Sequence, residues 1–177
     1  MLRRADALRN HERVVAAARE LFAERGLDVT VPEVAARAGV GRATVYRSYA
    51  TKEELVLAVA RDGFRSLQAR TQAALAADDA YRALSDYVPD LLEQLARDRG
   101  LAAAFFEGRL LPAAKLVEMI GQLIEAAKTS GPVRADAGIV DVRVVLCGVV
   151  RQLIVLDERD PAVWRRYAGL ILAALRP

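Results

Sequence analysis

Hydrophobic positions in the first part of the chain recur at helical spacing. Val14, Ala18, Leu21 and Phe22 lie at i, i+4, i+7 and i+8, which places all four on one face of a helix. Gly26 then marks the end of this helix, because glycine readily adopts the left-handed conformation of a C-terminal cap. The pattern therefore predicts a first amphipathic helix that ends close to residue 25.

Two short helices are predicted next. Thr30 and Glu33 form a capping box, in which each side chain can satisfy the backbone N–H of the other residue. The helix that they open covers 31–38 and ends at Gly39. A second short helix is predicted from Arg42 to Tyr49. A tight glycine-containing turn would join the two.

The remaining chain continues in the same helical period. A second capping box, at Thr51 and Glu54, opens a long helix with one apolar face. Further helices are predicted over 80–97, 101–108, 112–130, 139–156 and 161–175. The segment VDVRVVLCGVV has the composition of a strand, but its length and its neighbours favour a buried helix. We therefore predict an all-α fold of about nine helices, with a three-helix unit at 1–51 and a larger helical body at 52–177.

Composition and charge narrow the functional classes. Hydrophobic residues make up 54% of the 177 residues and charged residues 28%, which suits a packed core and argues against disorder. The net charge is only +3, but the stretch 34–52 contains four cations and no acidic residue. This local excess favours contact with a polyanion in the region of the second short helix.

Two short helices joined by a glycine turn describe a helix-turn-helix, in which the second helix enters the DNA major groove. Arg42 and Arg47 can bind guanine edges or phosphates, and Thr44 can donate a hydrogen bond and offer its methyl group to thymine. Lys52 and Thr30 each mark a helix start, where a phosphate is favoured. Arg3 and Arg4 are expected to act as a flexible arm along the backbone or in the minor groove. The candidate DNA-binding residues are Arg3, Arg4, Thr30, Arg42, Ala43, Thr44, Tyr46, Arg47, Ser48 and Lys52.

The stretch RVVAAARELFAERGLDVTVPEVAARAGVGRATVYRSYATKEELVLAVA, residues 13–60, closely resembles the N-terminal domain of the TetR (tetracycline-repressor-like) family of bacterial regulators. The matching elements are Ala17-Ala18, Leu21-Phe22, Gly26, Thr30, Val34-Ala35, Ala38-Gly39-Val40, Thr44-Val45-Tyr46 and Lys52-Glu53-Glu54-Leu55. The sequence departs from the usual pattern at Gly41 for Ser, Ser48 for His and Tyr49 for Phe. The resemblance implies a homodimer on a palindromic operator of double-stranded DNA, a small-molecule effector bound in the C-terminal body, and in most cases repression.

Candidate residues in the body follow from this resemblance and from the apolar pattern. The last two helices would form the dimer interface, and the residues expected there are Trp164, Tyr167, Ile171 and Leu175. The alternative for each is the core of its own chain. A pocket between the middle helices has as candidates Phe64, Leu67, Leu92, Leu95, Phe105, Phe106, Met119, Leu123, Cys147 and Arg151. Arg151 lies in an apolar run, where it would pair with Asp141, Glu107, an acidic ligand or the partner chain, or face water.

Other kinds of site have little support. Cys147 is the only cysteine and His11 the only histidine, so no zinc site is expected, and neither a catalytic metal nor another cofactor is predicted. A lone cysteine excludes an intrachain disulfide, and the N-terminal stretch lacks the apolar run of a secretory signal. No membrane span is expected either. Together, these three features favour the cytoplasm.

We predict a sequence-specific DNA-binding transcriptional regulator, a repressor that a small-molecule effector releases from its operator. An enzyme is disfavoured because the chain has a single histidine, a lone cysteine and no phosphate-loop glycine pattern. A helical protein-interaction module without specific DNA binding is the alternative. Salt-dependent binding to a palindromic DNA fragment distinguishes it from a regulator.

Overall fold

The computed structural model describes the backbone of residues 2–106 and 111–177, with the side chains of residues 2–5, 7, 106 and 111 left aside. These residues form nine helices and no strand. We number them α1 (Leu2–Arg25), α2 (Val31–Ala38), α3 (Arg42–Ser48), α4 (Lys52–Leu75), α5 (Ala80–Arg97), α6 (Arg99–Phe106), α7 (Leu111–Ala127), α8 (139–155) and α9 (Pro161–Ala174). A 3₁₀ turn, Gly26–Asp28, joins α1 to α2. The all-α prediction is confirmed.

Helix α8 contains an irregular turn. Its three parts, Ile139–Asp141, Val142–Leu146 and Cys147–Val155, follow one another without a break, and the middle part is a π-helix. The segment VDVRVVLCGVV is therefore helical despite its strand-like composition, as its length indicated. A π turn holds one more residue than an α turn and is common at functional sites.

The N-terminal unit is built on the apolar face of α1. Val14, Ala18, Leu21 and Phe22 are all buried, and α1 packs against α2 and α3. Helix α4 packs against both α1 and the helices of the body, so it joins the two parts. Helix α6 also contacts α1, and a side chain at Gly100 would meet Phe22.

The apolar core of the N-terminal unit continues without a break into the body. Helix α4 packs against α5, α6 and α7, while α9 lies along α5 and α8 lies along α6. Thr71 is the one buried polar side chain among the described residues, and its hydroxyl lies 2.7 Å from both the Leu67 carbonyl oxygen and Tyr87 Oη. Burial raises the pKa of Tyr87 to about 12. The buried hydroxyl of Thr71 thus has hydrogen-bond partners within the body, as buried polar groups usually do.

Candidate nucleic-acid interface

Helix α3 is held against the N-terminal unit by a tight turn and an apolar plug. Gly39 has φ 64°, a conformation that glycine adopts without strain, and its N–H donates to Ala36 O at 3.1 Å. Val40 N–H donates to Ala35 O at 3.0 Å, which completes the cap of α2. Val45 is fully buried beneath α3. The opposite face of α3 is therefore turned outwards.

That outward face carries most of the predicted DNA-binding residues. Arg42, Ala43, Tyr46 and Arg47 are all exposed, and their i, i+1, i+4, i+5 spacing places them on one side of α3. Thr44 is half-buried beside them. Ser48 is exposed, and its hydroxyl donates to Thr44 O at 3.3 Å, which leaves its oxygen lone pairs available. The structure thus brings six predicted residues together on one short helix.

The cations of α3 differ from the neighbouring Arg37 in their partners. Arg37 on α2 pairs with Glu24 at 3.1 Å and with Glu20 at 3.4 Å, and this contact lowers the pKa of Glu24. Among the described residues, neither Arg42 nor Arg47 has an ion-pair partner. Their guanidinium groups can therefore bind a phosphate or a base edge without first breaking an ion pair among these residues.

Thr30 occupies the N-terminus of α2, but an acidic residue already lies there. The Thr30 N–H and hydroxyl both donate to Glu33 Oε2 at 2.7 Å, and Arg25 donates to Glu33 Oε1 at 2.8 Å. These bonds, led by that from the Thr30 hydroxyl, lower the pKa of Glu33 to about 2. The Thr30 hydroxyl is thus engaged in the cap of α2 in this structure, and its contact with DNA stays a prediction.

Lys52 begins α4 and is half-buried. Its ammonium group donates to the carbonyl oxygen of Leu27, in the 3₁₀ turn. Thr51 Oγ1 accepts from Glu54 N–H at 3.2 Å, and Glu54 in turn accepts from Ala50 N–H at 2.7 Å. The Thr51 half of the predicted capping box is therefore present, whereas Glu54 accepts from Ala50 N–H and not from the Thr51 N–H. Lys52 therefore has a structural role in addition to its charge, because it links the start of α4 to the 3₁₀ turn that follows α1.

The N-terminal arm differs from the prediction. The backbone of Arg3 and Arg4 belongs to the first turn of α1 and is not extended. Their side chains lie outside the described residues. Because the helix starts ahead of these residues, contacts with DNA would have to come from a helix end rather than from a flexible arm.

The predicted pocket residues belong mainly to packed core. Leu67, Leu92, Leu95, Phe105 and Leu123 have no exposed surface and Phe64 almost none, while Phe106 lies outside the described side chains. Met119 lies at a surface depression beside α4, Cys147 is half-buried, and Arg151 is exposed. Burial raises the pKa of the Cys147 thiol, which disfavours the reactive thiolate. Glu107, one partner considered for Arg151, also lies outside the described residues.

An apolar cavity lies elsewhere in the body, between α5, α7, α8 and α9. Its volume is about 160 Å³. It is lined by Leu84, Val88, Ile120, Ile124, Arg134, Ala137, Asp141, Val142, Val145, Leu146, Ile171, Ala174 and Leu175. The sequence did not reveal this cavity. Apolar residues that line a space and apolar residues that pack against each other have the same helical spacing along the chain. The one available signal was the polar loop around Arg134.

The residues predicted for the dimer interface need correction. Trp164 is 0% exposed, and Ile171 and Leu175 are also buried within their own chain, so they have little surface left for a partner. Tyr167 is half-buried, with Arg166 over its ring at 5.5 Å. Other apolar side chains of the same two helices, α8 and α9, are exposed to solvent instead. Val140 is 67% exposed, Val144 68% and Leu170 51%.

No helix among the described residues is both long and apolar enough to cross a membrane. No cluster of three or more His, Cys, Asp or Glu side chains is arranged to hold a metal ion in that part of the chain.

Comparison with known proteins extends over both parts of the chain. Residues 14–59 match the model of bacterial regulatory proteins of the tetR family, and residues 79–177 match that of the C-terminal domain of SbtR-like transcriptional regulators. No curated protein matches the chain.

Several solved structures resemble the whole chain. The TetR transcription regulatory protein from Mycobacterium vanbaalenii is 35% identical over 98% of this chain and 99% of that one, with a TM-score of 0.48. FadR from Bacillus subtilis, in complex with stearoyl-CoA, is 17% identical over 94% and 97%, with a TM-score of 0.67. FadR from Bacillus halodurans is 22% identical over 94% and 96%, with a TM-score of 0.66. The family models at 14–59 and 79–177 show that the chain belongs to the TetR family of bacterial transcriptional regulators.

Proposed function

We propose that this regulator is a repressor that binds a palindromic operator as a homodimer and is released by a small-molecule effector. The role is binding rather than catalysis. The observation that carries the DNA-binding part is the outward face of α3, where Arg42 and Arg47 are exposed and have no ion-pair partner among the described residues. Arginine at such a position can bridge guanine O6 and N7.

Two α3 helices must reach successive major grooves of one duplex. This requires a spacing of roughly 34–36 Å between them, which a two-fold symmetric dimer can provide. The exposed apolar residues Val140, Val144 and Leu170 support α8 and α9 as the helices that join the protomers. On this proposal residues 1–51 read the DNA, and residues 52–177 bind the effector and the partner.

Release by an effector requires that the effector bind one spacing of the two α3 helices more tightly than another. Helix α4 begins directly after α3 and packs against the body, so it connects the DNA-reading unit to the effector-binding part. FadR from Bacillus subtilis, which has a similar fold, was solved with stearoyl-CoA. A ligand in the body of the present chain is consistent with that arrangement.

The proposal is tested by recovering the genomic DNA that the protein binds. A fragment recovered in this way should contain an inverted repeat, and its affinity should fall as salt rises, since phosphate contacts release counterions. A scrambled fragment of equal length is the control. Equal affinity for both fragments at every salt concentration would favour a protein-interaction module instead.

A further inference from the structure

The cavity beside the π turn of α8 is the feature of the body that neither packing nor DNA binding explains. We propose that it binds an uncharged molecule with a single ring and one hydroxyl or amine group, and that this ligand is the effector. The assignment as effector rests on the proposed function, whereas the binding site does not.

The size of the cavity limits the ligand. A volume of about 160 Å³ is close to that of apolar cavities of roughly 150 Å³ that stay dry and bind benzene. The long acyl chain of a ligand such as stearoyl-CoA would not fit. The ligand is therefore a molecule of about one ring.

The lining makes most of the cavity apolar. Leu84 and Val88 of α5 and Ile120 and Ile124 of α7 are almost fully buried and face the same space. A small apolar molecule would gain van der Waals contacts with each of them. Water would find few polar partners at that depth.

Charges at the polar edge select against an anionic ligand. Arg134 is exposed and donates two hydrogen bonds to Asp136, at 2.6 and 2.8 Å, so its charge is already paired with a carboxylate of its own chain. Asp141 also lines the cavity, and its Oδ2 accepts from Gly138 N–H at 2.8 Å. Among the described residues, Asp141 Oδ1 has no hydrogen-bond partner. It can accept from a hydroxyl or amine of a neutral ligand, and it repels a carboxylate.

The position of the cavity couples it to the proposed interface. Val142, Val145 and Leu146 line the cavity and all belong to the π turn of α8. Val144, in the same turn, points outwards and is 68% exposed. A ligand that fills the cavity supports one side of this turn, so it changes the relative stability of arrangements that place Val144 differently.

Calorimetric titration of the DNA-free protein tests the site, with phenol as the neutral probe and benzoate as the anionic one. Wild type is expected to bind phenol measurably and benzoate at least about tenfold more weakly. Ala174→Phe places a ring at the exposed edge of the cavity and should weaken phenol binding by about tenfold or more. Ala135→Phe, at an exposed position that does not line the cavity, should bind phenol like wild type.

The proposal of the site is overturned if wild type does not bind phenol, if benzoate binds equally well, or if Ala174→Phe binds phenol like Ala135→Phe. Circular dichroism shows whether the variants are folded. Methyl NMR of the wild type gives a second readout that needs no variant. Phenol should change the chemical shifts of the Ile120 and Ile124 methyl groups more than that of Ile154, which does not line the cavity. A larger change at Ile154 also overturns the site.

The effector role is tested separately with the recovered DNA fragment. Phenol should weaken DNA binding by wild type roughly 5-fold or more, the lower range of allosteric coupling, and should not affect Ala174→Phe. Phenol binding without any effect on operator affinity would overturn the effector role. Phenol binding by a protein that recovers no DNA would instead overturn the proposed function and leave the site intact.

Discussion

Tyr49 Oη lies 2.9 Å from Nδ1 of His11, and the two rings stack with their centroids 5.6 Å apart. His11 belongs to α1 and Tyr49 follows the end of α3, so this contact holds the recognition helix to the first helix. Tyr49 stands where the family pattern commonly has phenylalanine. The extra hydroxyl is thus partnered by the only histidine in the chain.

Tyr49→Phe should lower the free energy of unfolding by about 1 kcal/mol, because it removes this hydrogen bond while it keeps the buried ring. Urea unfolding followed by circular dichroism measures the change. Tyr46→Phe is the matched control, since Tyr46 is 50% exposed and should leave stability unchanged. Equal stability of the two variants would show that the Tyr49–His11 bond contributes nothing net.

Arg47→Ala should weaken binding to the operator more than binding to random DNA, because Arg47 is exposed on α3 without an ion-pair partner among the described residues. The expected loss is about 1–3 kcal/mol if the side chain reads a base. Thr44→Ala should act in the same direction. Arg37→Ala removes an arginine already paired with Glu24, so it serves as control. Gel-shift titrations on operator and random fragments measure the difference, and an equal loss on both would exclude base reading.

Lys52→Ala should weaken binding to operator and random DNA by a similar factor. A lost phosphate contact lowers the slope of log affinity against log salt by about 0.9. Because Lys52 also donates to Leu27 O, a modest loss of stability should accompany it. Lys115→Ala, an exposed lysine of α7, is the control for charge alone. An unchanged salt slope would assign Lys52 to structure and not to DNA.

Glu33 should make the free energy of unfolding depend on pH below about pH 5. Its pKa is held at about 2 in the folded chain, below its ordinary value of 4.5, chiefly by the hydrogen bond from the Thr30 hydroxyl. A lowered folded pKa means that the stabilisation is complete above pH 4.5 and is lost as pH falls towards 2.

Glu33→Gln should therefore be less stable than wild type near neutral pH, and the difference should shrink from about pH 5 to pH 2. Chemical unfolding at a series of pH values measures it. Glu53→Gln, in the first turn of α4, changes an exposed glutamate that makes no such cap. A difference between Glu33→Gln and wild type that stayed constant over this range would contradict the interpretation.

Val144→Asp should disrupt the proposed dimer, since the symmetric interface would then bury two carboxylates without partners. The dissociation constant should rise at least about tenfold. Analytical ultracentrifugation over a concentration series measures it. Leu8→Asp is the control, because Leu8 is 60% exposed on α1, away from α8 and α9. A Val144→Asp protein that associates like Leu8→Asp would exclude this face.

Much of the N-terminal unit could be predicted from local signals. Gly39, the capping box at Thr30, the Thr51 cap and the buried Val45 each act within a few residues of their own position, and the structure contains all of them. The exposed face of α3 follows from these signals, because the face opposite the buried Val45 is left to the solvent. Arg3 and Arg4 were predicted less well, since nothing local distinguishes an arm from a first helical turn.

The body could be predicted only as helices. Trp164 and Leu170 lie on the same helix, and both are apolar, yet the first is buried and the second is 51% exposed. Leu92 and Leu84 likewise share α5, but only Leu84 lines the cavity. In each pair the difference arises from helices that are distant in the sequence, so a single helical period does not contain it.

By itself, the sequence determined the helical class, the approximate positions of the helices, and the helix-turn-helix segment with its family, because these depend on residues a few positions apart. Only the tertiary structure decided which apolar faces are buried and where a space remains between helices. Those outcomes depend on how α5, α7, α8 and α9 approach one another in space. Burial is a property of neighbours, and the neighbours here come from distant parts of the chain.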